Sequence, residues 1–446
     1  MNLPWIFLGL LPESISIYHH PSYFTTSVIK LIIFGRCHLF TSRADHPSWF
    51  IPSIKKILST PIKPPSKSPI RFELNDEAMI HNGKILKRYD YNFSKLIDAF
   101  PGSDLSYGNE FRPVSILEPL LKHHKDWMQL KKYLVNGFNA DFKAIPKKQR
   151  LEDINSAITR GNHKSALQHS DVLLSNIKKE IRTGFQFPFP IKDVKKIKGA
   201  EVGPLGVATH DTIDEFGHVI PKHRPTHDQS FDYSPGNSVN NRLIRETLPP
   251  LHYGFCLLRI LHYIHSLRLK YPNQSIVISK VDIKSAYRRG TMSASLASRC
   301  ITILCGVALF IRCLPFGGAH CPNLWCLLSE AVTDLGNDLL SCSDWNESDV
   351  HSPLASKLKE PTILDDSIPF GLALPADVVV PPDPWGRIDA CIDDLITVGL
   401  LDKAWRRLGG AALLALHVFG RPVDPNEPMP RDDLVAMNKL FSEGSL

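Results

Sequence analysis

The spacing of apolar and polar positions divides the chain into elements of two kinds. Leu117, Leu120, Leu121 and Trp127, then Met128, Leu130, Tyr133 and Leu134, recur at helical spacing, and residues 75–190 are predicted to be mainly helical. Within them, residues 166–181 set Leu173, Leu174 and Ile177 on one face with Lys178 and Lys179 beside it. Thr212 to Pro221 has the pattern of a β-hairpin turning near Phe216-Gly217. Phe255, Leu257, Leu258, Ile260, Leu261, Ile264 and Leu267 predict a helix over 255–270. Residues 275–283 form a β-branched run, a buried strand ending at Asp282, and residues 300–314 predict two strands turning near Gly306. Pro322 suits the first turn of a helix reaching about Leu340. Ile388-Asp389-Ala390-Cys391-Ile392-Asp393-Asp394-Leu395-Ile396-Thr397-Val398 predicts another hairpin, with two acids at its tip. A helix led by Asp402 follows it to Val418. This order is α+β, a small antiparallel sheet backed by helices, without internal repeats.

Proline marks the connections, with 35 in 446 residues. Residues 1–60 carry no clear period and 61–70 have linker composition, so 1–70 is expected to be a poorly defined leader and linker. A mainly helical, basic extension is expected over 71–190, ending where Pro188, Pro190 and the run Lys192–Lys198 mark a boundary. Residues 191–446 form the third unit, with an irregular insertion at 341–386 whose Asp365-Asp366 are solvated loop acids.

Charge adds a partner class. The net charge is +7, and residues 141–200 alone hold 13 Lys/Arg against 6 Asp/Glu. That excess suits a polyanion, and it also suits an exposed basic helix face. No apolar run reaches the roughly 18–20 residues of a membrane span. The apolar start Trp5–Leu11 follows no positive segment, so neither a membrane partner nor a signal peptide is expected. The nine cysteines, an odd number with no C-x-x-C pair and several inside apolar runs, point to reduced core thiols in a cytoplasmic or nuclear protein.

The paired acids Asp393 and Asp394 carry the chemistry. Like charges side by side repel, and cations between them remove that conflict. Asp282, at its strand end, is by itself an ordinary turn or cap residue. If its strand neighbours the hairpin, three carboxylates converge, and such a set can hold two Mg²⁺ or Mn²⁺ ions about 3.5–4 Å apart for phosphoryl transfer. The backbone carbonyl of Ile283 is a further candidate ligand.

Four segments, in order, resemble the motifs of reverse transcriptases. Asp282-Ile283-Lys284-Ser285-Ala286-Tyr287 is similar to motif A. Leu314-Pro315-Phe316-Gly317-Gly318-Ala319-His320-Cys321-Pro322-Asn323-Leu324-Trp325 is similar to motif B. Cys391-Ile392-Asp393-Asp394 is similar to motif C. Upstream, Arg224-Pro225-Thr226-His227-Asp228-Gln229-Ser230 with Gly236-Asn237-Ser238-Val239-Asn240 resembles the fingers of retrotransposon enzymes, nearest in wording to tyrosine-recombinase (DIRS-like) or LTR-type elements. The resemblance covers roughly residues 190–418. It implies a fingers and palm fold and an RNA-directed DNA polymerase using dNTPs on a primed RNA or DNA template.

The same resemblance implies residue roles. Asp282, Asp393 and Asp394 would be catalytic and, with Ile283, hold two metal ions. Ala286 and Tyr287 would bind nucleotide, with the Tyr287 ring as a gate against a 2′-hydroxyl. Phe316 and Gly317 would wall the pocket, and Lys222 and Arg224 would grip the triphosphate. His227 and Asp228 are expected to form a local pair, with Asp228 bracing the fingers. Without the resemblance, Tyr287 is a core aromatic and Pro315–Gly318 a turn before a helix. Cys391 departs from the aromatic usual in motif C. The chain also ends soon after the helix that follows motif C, so a missing or stunted thumb is expected, with no ribonuclease H or integrase segment. The alternative is a truncated or domesticated palm and fingers that binds nucleic acid without turnover; a palm-type cyclase needs the paired acids but not Tyr287 or the motif B segment.

Overall fold

The protein, seen in a computed structural model, is described for residues 46–213, 217–360, 386–436 and 441–445. It is a mixture of helices and antiparallel sheets. Helices α1 (Phe50–Ser59), α2 (Asp76–Arg88), α3 (Phe93–Ala99), α4 (Val114–Leu121), α5 (Trp127–Asn136), α6 (Lys147–Arg160), α7 (Lys164–Gln168) and α8 (Ser170–Arg182) come first. Helix α2 forms for local reasons. In α2 the Asn75 side chain accepts from the Ala78 amide at 2.7 Å, Asp76 and Glu77 sit in the first turn, and Lys87 and Arg88 in the last. Each of these choices complements the orphan groups and dipole of the helix ends.

Two elements differ from the sequence expectation. Helix α1 lies in the stretch that carries no clear period, yet Phe50, Ile51, Ile54 and Ile57 are buried on one face. Ten residues are too few for a stable isolated helix, and docking supplies what propensity does not. The prolines expected to mark a boundary lie in strand β1 (Gln186–Pro190), which pairs with β6 (Val307–Ile311), itself paired with β5 (Thr302–Leu304). β1 is an edge of that sheet, where a residue without an N–H is tolerated. Phe187 stacks on Phe310 at 5.3 Å, and Phe93 lies 4.4 Å from the same ring.

Strands β2 (Leu205–Ile213) and β3 (Val219–His227) form a long two-stranded ribbon, with Ile213 opposite Val219. Phe216, at the expected turn, lies outside the described residues. Helix α9 (Cys256–Lys270) then leads to β4 (Ile276–Asp282), followed by α10 (Ala286–Arg289), α11 (Ala294–Ala297) and α12 (Cys321–Ser341). The second hairpin is β7 (Arg387–Cys391) and β8 (Asp394–Leu400), followed by α13 (Leu401–Phe419) and β9 (Phe441–Ser445). The sheet order is β7-β8-β4-β9.

Alternation gives this sheet two dissimilar faces. Val281, Leu395, Ile388 and Ala390 join the large core with Leu335, Leu339, Leu408 and Ala411 of α12 and α13. Ile276, Val398 and Leu400 face the other way, onto Cys256, Ile260, Tyr263 and Leu267 of α9. Gly336 lets α12 approach β7, since a Cβ there would lie 2.7 Å from the Ile388 side chain. Beside it, Asn337 exchanges two hydrogen bonds of 2.9 Å with the Ile388 backbone and covers the outer edge of β7.

Part of the expected insertion is folded. Trp345 is buried, its indole donates to the Val350 carbonyl at 2.9 Å, and Arg407 of α13 caps its ring. Asp365-Asp366, Cys37 and most of the expected leader lie outside the described residues. The connection after Arg421 is also more than a tail: Lys284 N donates to Leu434 O and Ala436 N to Asp282 O, and β9 then pairs with β4.

Candidate metal centre and nucleotide site

Asp282 ends β4 directly opposite Asp394, the first residue of β8. Cys391 pairs with Asp394, so Ile392 and Asp393 form a two-residue turn. Such hairpins favour turns whose first central residue has positive φ. Ile392 has φ +60°, costly for a β-branched side chain. Two bonds hold it there: Trp325 Nε1 of α12 donates to the Ile392 carbonyl at 2.8 Å, and Ile283 N donates to the Asp393 carbonyl at 2.8 Å. The Ile283 backbone therefore faces the turn.

These constraints bring the three predicted acids together. One carboxylate oxygen from each of Asp282, Asp393 and Asp394 lies within 4.8 Å of the others. Among the described residues this is the one cluster of three such side chains that could hold a metal ion. Asp282 is buried and the other two are half-buried. The donors are carboxylate oxygens, with no nitrogen or sulfur, and suit a hard cation such as Mg²⁺ or Mn²⁺. Lys280, two residues before Asp282 on the same strand face, places Nζ 2.8 Å from Asp394 Oδ2. Burial lowers the pKa of its ammonium, but the Asp394 hydrogen bond and the charges of all three acids outweigh that and raise it.

Tyr287, on the single turn α10, packs its ring 5.5 Å from Phe316 and 6.3 Å from Trp325. Burial raises the phenol's pKa above its ordinary value. Ala286 beside it is buried, whereas Phe316 is 48% exposed. Gly317 has φ +112°, and a Cβ there would overlap the His227 carbonyl oxygen. Only glycine fits, because the end of β3 docks on this loop, with His227 N donating to Phe316 O at 2.9 Å. Asn240 clamps the loop from the other side: its Nδ2 donates to Gly317 O and its Oδ1 accepts from Ala319 N, both at 2.8 Å.

The expected His227–Asp228 pair does not form. His227 is buried with Nε2 3.4 Å from Arg288 Nη2. Burial first, and the Arg288 charge second, depress its pKa to about 3. Asp228 instead pairs with His163 at 2.9 Å and accepts from Ser230 N. Strand β3 ends at His227, so the chain turns away at Asp228 and the two side chains meet different partners. Lys222 and Arg224 lie exposed on one face of β3, outside the carboxylate cluster. Cys391 packs against the start of α9, and a hydrogen bond with Cys256 lowers its thiol pKa.

Several contacts that build the site have no local signal in the sequence. Arg259 of α9 makes a bidentate pair with Asp389 of β7, at 2.6 and 2.7 Å, both side chains buried. Lys280, Asn240 and the Trp325–Ile392 bond likewise join residues far apart in the chain, and of these residues Lys280 falls in none of the quoted motifs.

No protein-family model matches the chain, and no curated protein matches it. Among solved structures it is similar to a foamy viral protease-reverse transcriptase, in the dRH form in complex with double-stranded DNA. The match has a TM-score of 0.32 and 12% identity, and covers 80% of this chain. The chain spans 42% of that protein's length. At that score the likeness is remote, and a functional reading rests on the residues themselves. No helix among the described residues is long and apolar enough to cross a membrane.

Proposed function

We propose that the chain is an RNA-directed DNA polymerase domain of a retroelement, joining dNTPs to a primer 3′-hydroxyl, with residues 191–446 as fingers and palm and 71–190 as a basic extension. The observation that carries this reading is the convergence of Asp282 with the adjacent Asp393 and Asp394, remote from it in the chain, within 4.8 Å. Two divalent ions at such a set supply activation of the attacking oxygen and neutralisation of the leaving pyrophosphate. In this reading Asp282, Asp393, Asp394 and the Ile283 carbonyl hold the ions. Tyr287, braced by Phe316 and Trp325, lies under the sugar and excludes a 2′-hydroxyl. Phe316 and Gly317 wall the pocket, and Arg224 with Lys222 meets the triphosphate from the fingers ribbon.

Primer extension on poly(rA)/oligo(dT) with Mg²⁺ tests it. The wild type is expected to extend the primer and Asp393→Asn to lose the signal. Equal extension by both would sink the site, and none by either would favour a nucleic-acid-binding remnant.

A further inference from the structure

We propose that Lys280 is a built-in counter-ion of the carboxylate cluster, which holds Asp394 while no divalent cation is present and is displaced from it on loading. The inference rests on the metal-site reading above and goes beyond it, because it assigns a competitor to the site.

The position of Lys280 follows from the β4–β8 register. Asp282 lies opposite Asp394, so Lys280, two residues earlier, is the diagonal neighbour of Asp394 on the same face. The far part of that face is covered by α9. The ammonium sits 2.8 Å from Asp394 Oδ2, and both side chains keep about a third of their exposure, 35% and 27%. Three carboxylates drawn within 4.8 Å of one another repel, and one lysine offsets part of that charge. An ammonium is a point charge on a flexible stem, so it can leave toward solvent when a better-coordinated cation arrives. Lys280 thus engages Oδ2 of a carboxylate that also supplies one of the three converging oxygens. Lys280 therefore sets the ion concentration at which the site loads and keeps the metal-free hairpin assembled.

The test is Mn²⁺ binding by electron paramagnetic resonance, with Mn²⁺-induced change in Tm as a second readout. Lys280→Met is expected to bind Mn²⁺ about five-fold more tightly than wild type, the size expected for a partly exposed pair. Its Tm should fall in chelator and recover by a larger step when Mn²⁺ is added. In an Asp394→Asn background the same substitution should change affinity less than about two-fold, since the contested group is gone. Lys280→Arg should weaken Mn²⁺ binding, because a guanidinium can hold a carboxylate through two bonds; it also serves if the methionine variant does not fold. Unchanged or weaker binding by Lys280→Met, or tighter binding by Lys280→Arg, overturns the proposal. Its failure is distinct from failure of the metal site itself, which would show as Mn²⁺ binding absent from wild type and Lys280→Met alike, or as wild-type binding unaffected by Asp282→Asn.

Discussion

Replacing Arg259 by methionine should destabilise the protein far more than the loss of one surface charge. Nε and Nη2 of Arg259 meet the two oxygens of Asp389 at 2.6 and 2.7 Å, and both side chains are at most 4% exposed. At an effective dielectric constant of about 20 the attraction is about 6 kcal/mol, offset by several kcal/mol of desolvation for each ion. The net worth of the intact pair is therefore small. Breaking it is different: with Arg259 gone, the buried Asp389 carboxylate retains the Ala390 amide at 2.8 Å among its bonds and loses its counter-charge. A loss of about 3–5 kcal/mol is expected. The double variant Arg259→Met with Asp389→Leu removes both charges and should recover to within about 1 kcal/mol of wild type. Urea unfolding followed by tryptophan fluorescence measures the global cost. Hydrogen exchange at β7 and α9 amides tests whether the loss is centred on this contact. Because β7 leads into Ile392 and Asp393, primer extension should fall with the single variant and return with the double one. A single-variant loss under about 1 kcal/mol, or a double variant as unstable as the single, would refute the reasoning.

Trp325→Phe removes the indole donor to Ile392 and should release the strained turn at a cost of about 1–2 kcal/mol, read as faster exchange of the Asp393 and Asp394 amides and weaker Mn²⁺ binding. Gly317→Ala should force apart the 314–318 loop and the end of β3, with a loss above about 2 kcal/mol in urea unfolding; a neutral effect would mean that this docking is not maintained in solution. Burial depresses the pKa of His227 to about 3 and of His320 to about 4, from an ordinary 6.5. The unfolded chain then binds protons that the folded one refuses, so the stability is complete above about pH 6.5 and is lost as pH falls, by up to about 1.4 kcal/mol per unit for each histidine. His320→Leu should flatten part of that slope in urea titrations between pH 6.5 and 4.5; an unchanged slope would contradict the burial argument.

Much of the fold was legible because periodicity and turn chemistry are local. The β-branched run ending at Asp282, the paired acids between two such runs and the proline-led start of α12 were all visible as patterns. Helix α1 was not, since its few apolar residues matter only once docked. β1 was masked by prolines that an edge strand tolerates. The His227–Asp228 pairing failed because β3 ends between them, and where the chain turns next is a matter of packing.

The sequence by itself determined which residues could act: three acids at element ends, an aromatic five residues after the first of them, and glycines where backbones meet. Only the tertiary structure decided that they do converge, because the pairing of β4 with β8 spans more than a hundred residues and no local rule specifies it. The same long-range register placed Lys280 diagonal to Asp394, brought Arg259 to Asp389 and set Trp325 beneath the Ile392 turn. Charge and hydrogen-bond partners depend on distance in space, and that distance is set by packing of the two sheet faces on α9, α12 and α13.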